Sequence, residues 1–348
     1  MSKTFIADIQ PNQDIAAAFV VSEKQLRTTR SGTAFLTLRL VDRTGEITGR
    51  VWDNATELAA VIPLKGAVFL RGRSETYRDE VQLNIQEARP LKPEAVDPAD
   101  FLPVCPKDRD VLFEKLSGRI SEVEDRSCKQ LLKAIFKDRV LLSRFKSAPA
   151  AKSMHHAYLG GLLEHTLSVV ELVLRICRLY PFLDRDLLVA GAILHDIGKT
   201  DEYVYDLAID YSHSGRLLGH MVLGVQIVDE KIRLLKDFPE EKAWLIKHMI
   251  LSHHGEAEFG AAKLPMTREA FVLHHADDLD AKMNNLTRIL SEPKAGNEVW
   301  TGYQPLFERF FYRGLPKEQA DTLPLEGEET EDERGVQLNL WNPEKPRK

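Results

Sequence analysis

All eleven histidines of the chain fall between His155 and His275, and several stand directly beside a carboxylate or a second histidine. His165 closes Gly161-Leu-Leu-Glu-His165, His195-Asp196 opens a run that continues Ile-Gly-Lys199, and His220 follows Leu218-Gly. His253-His254 are adjacent, and Asp277 lies two residues beyond His275. Neutral imidazole nitrogen and carboxylate oxygen suit borderline and hard divalent cations, and an adjacent His-Asp pair can serve one ion while its carboxylate bridges to a second. Two such ions clamp the attacking and leaving oxygens of an in-line phosphoryl displacement and acidify a bound water. Asp196 is the carboxylate on which such chemistry would turn. Lys199, one helical turn beyond it, is placed to neutralise a phosphate oxygen, with Gly198 leaving that approach open. His155 and His156, just upstream of His165, either contact substrate or begin a helix. A lone His-Asp pair arises by chance, and His253-His254 is either a surface pair or a ligand pair. The Ser-His-His-Gly context at the close of the apolar run Ile246 to Leu251 favours ligands. His213 and His248 sit in no motif and are expected to be exposed or in the core.

Such groups can converge only if the segments that carry them share one bundle interior. From about Pro103 onward the apolar period is helical: Val111, Leu112, Leu116 and Ile120 share a face, as do Leu131, Leu132, Ile135 and Phe136. Similar stripes run through Leu162 to Leu179, Asp186 to Leu194 and Ala243 to Leu251. Before Pro90 the period is two, giving strands around Ala16–Val21, Ala34–Val41, Ile47–Trp52, Val68–Arg73 and Val81–Ile85. A short helix, Asn54 to Ile62 with Asn54 as N-cap, falls between the third and fourth. Five strands with a helix at that place is the order of an OB-fold barrel. The expected architecture is therefore multidomain, an N-terminal all-β OB-fold barrel followed by an all-α domain. Its predicted parts are a nucleic-acid-binding barrel over residues 1–90, a linker over 91–107 that is proline-rich to Pro103, connecting helices over 108–150, the catalytic domain over 151–315 and a disordered tail over 316–348.

An OB barrel offers a face on which bases stack against aromatics while basic side chains follow the backbone. Phe35, Trp52 and Tyr77 are the candidate platforms, and Arg39, Arg50, Arg71 and Arg73 the phosphate partners. Phe35 and Trp52 would serve equally as barrel core. The net charge of −6 means that any nucleic-acid surface must be a local one. Cys105, Cys128 and Cys177 are odd in number, distant and in no C-x-x-C pair, which argues against a disulfide framework and a thiolate zinc site. The first residues lack a signal-peptide core and no run of eighteen apolar residues occurs, so the expectation is a cytoplasmic protein with no membrane contact.

The ordered set His165, His195-Asp196, His220, His253-His254 and Asp277 resembles the HD-domain superfamily of metal-dependent phosphohydrolases. More narrowly, Met154-His-His-Ala-Tyr-Leu-Gly-Gly-Leu-Leu-Glu-His165-Thr, Gly215-Arg-Leu-Leu-Gly-His220, Leu251-Ser-His-His-Gly255 and Asp277-Asp-Leu-Asp-Ala-Lys-Met283, preceded by an OB-like barrel, are similar to the YhaM family of bacterial 3′→5′ exoribonucleases. The resemblance spans roughly residues 10 to 315. It implies that those seven residues are the metal ligands, for two divalent ions, with manganese the usual choice. It also implies cleavage of single-stranded RNA, and of DNA, from the 3′ end to 5′-mononucleotides. Within the last motif Asp277 is taken as the ligand, with Asp278 and Asp280 capping or pairing locally, Asp280 with Lys282 or Arg288. Two rival readings remain: an HD phosphohydrolase acting on a free nucleotide or cyclic dinucleotide, and a non-catalytic single-strand binding protein. The absence of Gly-Tyr-Pro after His254 disfavours the cyclic-dinucleotide case, and the intact ligand set disfavours the third. A homo-oligomer is compatible with each. In the tail, Gln337-Leu-Asn-Leu-Trp341 resembles the motif by which bacterial replication and repair proteins bind the sliding clamp, and would equally fold back onto the protein's own surface.

Overall fold

The computed structural model describes residues 3–29, 31–78, 80–152, 156–291 and 298–314. Its first part is a closed five-stranded barrel in the order β1-β2-β3-β5-β4, where β1 is Asp14–Thr28, β2 Ala34–Asp42, β3 Gly45–Val51, β4 Ala67–Tyr77 and β5 Glu80–Pro90. Closure depends on β1 serving two neighbours. Its first half pairs with β4 (Asp14↔Arg73 to Val20↔Ala67) and its second half with β2 as far as Thr28↔Ala34. A register shift between Val21 and Glu23 bends the strand between the two, as an extra residue does. The parallel pairing of β3 with β5 closes the far side. Along β2 the alternation is clean: Leu36, Leu38 and Leu40 are fully buried, while Phe35, Thr37 and Arg39 face outward. The helix between β3 and β4, α1, spans Ala55–Val61. Asn54 occupies its N-cap but makes no side-chain cap bond; it instead adopts a left-handed backbone (φ 55°), which Asn tolerates better than most residues.

After Pro90 two short 3-10 turns, Pro93–Ala95 and Pro98–Asp100, lead to buried Phe101 and Leu102. Helices α2 (Arg109–Ser121), α3 (Arg126–Lys137) and α4 (Arg139–Ser147) follow, each begun by an aspartate, Asp108, Asp125 or Asp138, that accepts backbone N–H groups of the first turn. Leu112, Leu116 and Ile120 are buried on α2, whereas Val111 is exposed and not on the buried face expected for it. Then come α5 (Gly161–Leu179), α6 (Arg185–Leu194) and α7 (Lys199–Glu202). A two-stranded ribbon, β6 (Tyr203–Val204) with β7 (Asp210–Tyr211), adds a small sheet to an otherwise helical domain. The set ends with α8 (His213–Arg233), α9 (Glu240–Ser252) and α10 (Arg268–Ser291). Leu131, Leu162, Val170, Leu188, Ile193, Ile246 and Leu273, from five different helices, meet in one buried core. Among the described residues no helix is long and apolar enough to cross a membrane.

Contacts between Cα atoms group residues 1–285 as one unit and 286–348 as another. The second contains the last turns of α10 and an irregular hairpin bridged at Trp300↔Tyr312 and Gln304↔Arg309. The tail expected over 316–348, including Gln337–Trp341, lies outside the described residues.

Candidate active site

Five of the helices aim their polar ends at one buried point. His165 stands in the second turn of α5, His195 and Asp196 at the C-terminal end of α6, His220 midway along α8, His253 and His254 at the end of α9, and Asp277 on α10. Two groups result. In the first, His165 Nε2 lies 3.2 Å from His195 Nε2 and 3.0 Å from Asp277 Oδ1. In the second, His220 Nε2 is 3.4 Å from His253 Nε2, with His254 completing the set. Asp196 lies between them. Its Oδ2 is 3.4 Å from His195 Nε2 and 3.6 Å from His165 Nε2, and its Oδ1 is 3.4 Å from His253 Nε2 and 3.5 Å from His220 Nε2. Ligand atoms that bind one first-row ion at about 2.1 Å are spaced about 3.0 to 3.4 Å apart, so both groups have the dimensions of a coordination shell.

The outer hydrogen bonds of the rings decide what the inner nitrogens offer. His195 Nδ1 faces Ala192 O and His253 Nδ1 faces Ile250 O, both at 2.8 Å. His165 Nδ1 meets Asp280 Oδ2 at 2.7 Å and His220 Nδ1 meets Glu202 Oε1 at 3.1 Å. Each partner is an acceptor, so each ring carries its proton on Nδ1 and turns an Nε2 lone pair inward, the usual arrangement behind metal-bound histidine. Four lone pairs and two carboxylates facing one another are mutually repulsive unless positive charge lies among them, whether a bound cation or, without one, a second proton on His165. The buried Asp196 Oδ1 supports the same conclusion, since it has no hydrogen-bond donor among the described residues. The donor set thus fits hard or borderline divalent ions. Its attraction for positive charge shows also in titration. Burial disfavours charge on His165, yet hydrogen bonds and charge from Asp277 and Asp280 outweigh it and raise this group to about 10. Burial would likewise raise Asp277, but His165, His195 and His253 hold it well below the usual carboxylate range. Burial, with His253 and His220 beside it, pushes His254 down to about 3.

Local backbone features set these positions. Gly219 interrupts α8 with φ 73° and ψ 159°, a conformation open essentially to glycine alone. The kink frees the His220 N–H, which donates to Glu202 Oε1 at 2.9 Å. Packing alone requires glycine at 198: a Cβ there would lie 1.9 Å from His220 O and 2.5 Å from Gly224 N, so α7 and α8 touch backbone to backbone. Lys199 is buried, with Nζ 2.6 Å from Asp196 Oδ2, and so contacts the central carboxylate directly. Asp278 pairs locally with Lys282 at 2.7 Å as expected. Asp280 does not: it reaches inward between His165 and His156, because its place on α10 faces the α5 end of the site. His156 is 3 % exposed, and His155 lies outside the described residues. His213 is exposed, and His248, half-buried, accepts the Met266 N–H at 2.9 Å. Sequence reasoning did not single out Glu164, Glu202, Tyr158 or His274, whose ring nitrogen sits 2.8 Å from His253 O. Glu164 and Tyr158, both inside the quoted motif that contains His165, and His274, beside His275, carried a local signal; Glu202 carried none.

On the barrel, Phe35 and Trp52 stack outward with centroids 5.0 Å apart and an interplanar angle of 24°, so neither is core. The Arg50 guanidinium lies 5.9 Å from the Trp52 ring and 5.0 Å from that of Tyr77. These four residues form one patch on the outer face of β2, β3 and β4, with Trp52 and Tyr77 exposed and Phe35 and Arg50 half-buried beside them. Arg39 is paired with Glu46 and Glu23, Arg71 with Glu87 and Arg73 with Asp14, all exposed pairs of little strength.

A barrel followed by a helical domain with this histidine and aspartate centre defines a hydrolase of the HD superfamily, and the sequence matches the family described as HD domain over residues 162–282. A second description, putative helicase, matches residues 96–186. The chain is 37% identical over 286 residues to the 3′-5′ exoribonuclease YhaM of Geobacillus sp. strain WCH70, covering 82% of this chain and 87% of that protein. It is 35% identical over 284 residues to the 3′-5′ exoribonuclease YhaM of Bacillus subtilis strain 168, covering 81% and 89%. Among solved structures, the second OB-fold domain of replication protein A from Methanococcus maripaludis matches 26% of this chain and 96% of its own, at 17% identity and a TM-score of 0.22. The chain belongs to the YhaM family of 3′-5′ exoribonucleases.

Proposed function

We propose that the protein is a cytoplasmic 3′→5′ exonuclease that shortens single-stranded RNA, and single-stranded DNA, to 5′-mononucleotides with two divalent ions, manganese foremost. The observation that carries this reading is Asp196, whose two oxygens each face a separate group of imidazole lone pairs. His165, His195, Asp277 and Asp196 Oδ2 would hold one ion, and His220, His253, His254 and Asp196 Oδ1 the other. Bound there, the pair would supply an acidified water and neutralise the phosphate oxygens of an in-line displacement. The chain's own part is positional. The Nδ1 bonds keep the four rings aimed, Lys199 offsets the charge of Asp196, and burial of the centre keeps bulk water from screening either. The outer-face patch of Phe35, Trp52, Arg50 and Tyr77 would take bases by stacking, chiefly on the exposed Trp52 and Tyr77, and phosphates by charge, which suits single strands of any sequence. The extension of this reading to partners is contact of Gln337–Trp341 with a sliding clamp, which a peptide spanning those residues would test by direct binding.

The test is hydrolysis of 5′-labelled single strands, RNA and DNA, by purified protein with manganese. A ladder shortening one nucleotide at a time from the 3′ end, with released 5′-mononucleotides, is expected. Attack only on free nucleotides would select the phosphohydrolase reading, and strand binding without products the non-catalytic one.

A further inference from the structure

Behind His165, on the side away from Asp196, polar side chains form one chain of contacts. Asp280 Oδ2 is 2.7 Å from His165 Nδ1 and 3.1 Å from His156 Nε2. The other nitrogen of His156 is 2.8 Å from Tyr158 Oη, and Tyr158 donates to Glu164 Oε2 at 2.6 Å. Glu164 accepts the Cys105 thiol at 3.2 Å and pairs through Oε1 with Lys107 at 2.7 Å. His156 itself is fixed by its backbone N–H to Asn284 Oδ1 at 3.0 Å and held at φ 47°, a left-handed conformation costly for a residue with a Cβ. Such strain persists only where the surroundings over-determine it.

We propose that Asp280 is the positioning residue of the first cluster: held between His156 and His165, it fixes the Nδ1–H tautomer and ring direction of His165 and so sets how tightly that cluster binds its divalent ion. The chain from Lys107 through Glu164, Tyr158 and His156 holds Asp280 in turn. This assignment rests on the clusters being metal sites. The same three groups, His156, His165 and Asp280, lie close enough together to suggest a third ion. The 2.7 Å separation of His165 Nδ1 from Asp280 Oδ2 decides against it, being a hydrogen-bond distance and shorter than the about 3.0 Å minimum between neighbouring ligands of one such ion. His165 has also turned its other nitrogen to Asp196 and Asp277.

Manganese alone is the probe, titrated into full-length protein while the free ion is read by electron paramagnetic resonance. Asp280→Ala is expected to leave the number of bound ions unchanged and to weaken one class of site by about 10- to 100-fold, as loss of an outer partner does. Asp280→Asn, which keeps an acceptor, falls between it and the wild type, and Tyr158→Phe weakens the same class several-fold. In hydrolysis the variants need correspondingly more manganese, while KM for the strand and kcat at saturating manganese stay near wild type. Unchanged affinity with reduced kcat would place Asp280 on the substrate, and loss of one bound ion would make it a ligand; either overturns the assignment. If Asp280→Ala does not fold, Tyr158→Phe decides, and unchanged affinity in it defeats the proposal. A wild type that binds no manganese would defeat the metal reading itself, an outcome distinct from any difference between variants.

Discussion

Asp196 and Lys199 form a pair whose two members cannot be treated separately. Truncating Asp196 to Ala would leave Lys199 buried opposite no anion, and breaking a buried pair in that way costs about 3–5 kcal/mol. Loss of activity in Asp196→Ala would then be confounded with loss of fold. Asp196→Asn keeps the shape and an acceptor for Lys199 though not the charge, and is expected to lower kcat by at least about a hundredfold, the scale of a lost charge-stabilising group, with a smaller fall in melting temperature than Asp196→Ala. Activity within tenfold of wild type would remove Asp196 from the centre of the site. Metal removal is the second test at this scale. An ion present at a hundred times its Kd stabilises by about 2.7 kcal/mol, or roughly 5–10 °C in a domain of this size, and chelation of both ions should lower the melting temperature by at least that amount. In the metal-free protein His254, held near 3 by burial, stays neutral when folded but takes a proton when unfolded below its ordinary 6.5. Its contribution to stability is therefore full above about pH 6.5 and declines as pH falls toward 3, which thermal melts across that window would follow. The residues that gather at the centre were legible because His, Asp and their neighbours form local strings. Asp280 was not, because its partners His156 and His165 are more than a hundred residues away and nothing local distinguishes an inward aspartate from a capping one.

The helices differ in how plainly they announce themselves. Those that line the core on one side, α5, α6 and α9, carry long apolar stripes. Neither α8 nor α10 does: α8 is interrupted at Gly219 and holds Gly215 and Gly224 for close packing, and α10 spends its inward positions on Asp277 and Asp280. An element that builds a polar site gives up the apolar period by which sequence reading finds it. Gly198 shows the same limit, since its role depends on the backbone of a helix some twenty residues later. Gly198→Ala should force α7 off α8 and separate Asp196 from His220, at a cost of about 3 kcal/mol, the upper end for overpacking and more severe here because the clash is with backbone. A drop in melting temperature together with weaker manganese binding is expected; an unchanged melt would mean that the helices separate freely. Gly219→Ala has room for the new methyl, whose nearest neighbour is 4.0 Å away, and any loss there measures the backbone conformation alone.

At the scale of the whole molecule the barrel and the catalytic helices have separate cores, one built from Phe19, Leu36, Leu38, Leu40 and Leu70, the other from the helices. Each part thus buries an apolar cluster of its own, as separately folding modules do. The barrel's five strands and the helix between the third and fourth followed from the period-two pattern, whereas its closure rests on pairings between distant strands that no local pattern prints; Phe35 and Trp52 fall in phase with Thr37, Arg39, Thr48 and Arg50, but their bulk and apolar character suit a core equally well, and the structure shows them stacked on the outer face. Each base stacked on an aromatic contributes about 1–3 kcal/mol to strand binding. Because Phe35 and Trp52 stack on each other as one platform, Trp52→Ala together with Phe35→Ala should weaken the Kd for a long single strand by the stacking of one base, roughly five- to 150-fold. Cleavage of a dinucleotide, which can reach the buried centre without spanning the barrel, should change less than twofold. Removal of residues 1–95 should reproduce that separation more severely if the helical core folds without the barrel, which its independent apolar cluster supports. The measurement is strand affinity by fluorescence anisotropy beside dinucleotide turnover for the double variant and the truncation. Equal loss on both substrates, in protein with a native melt, would mean that the barrel acts at the scissile bond and not as a separate holder of the strand.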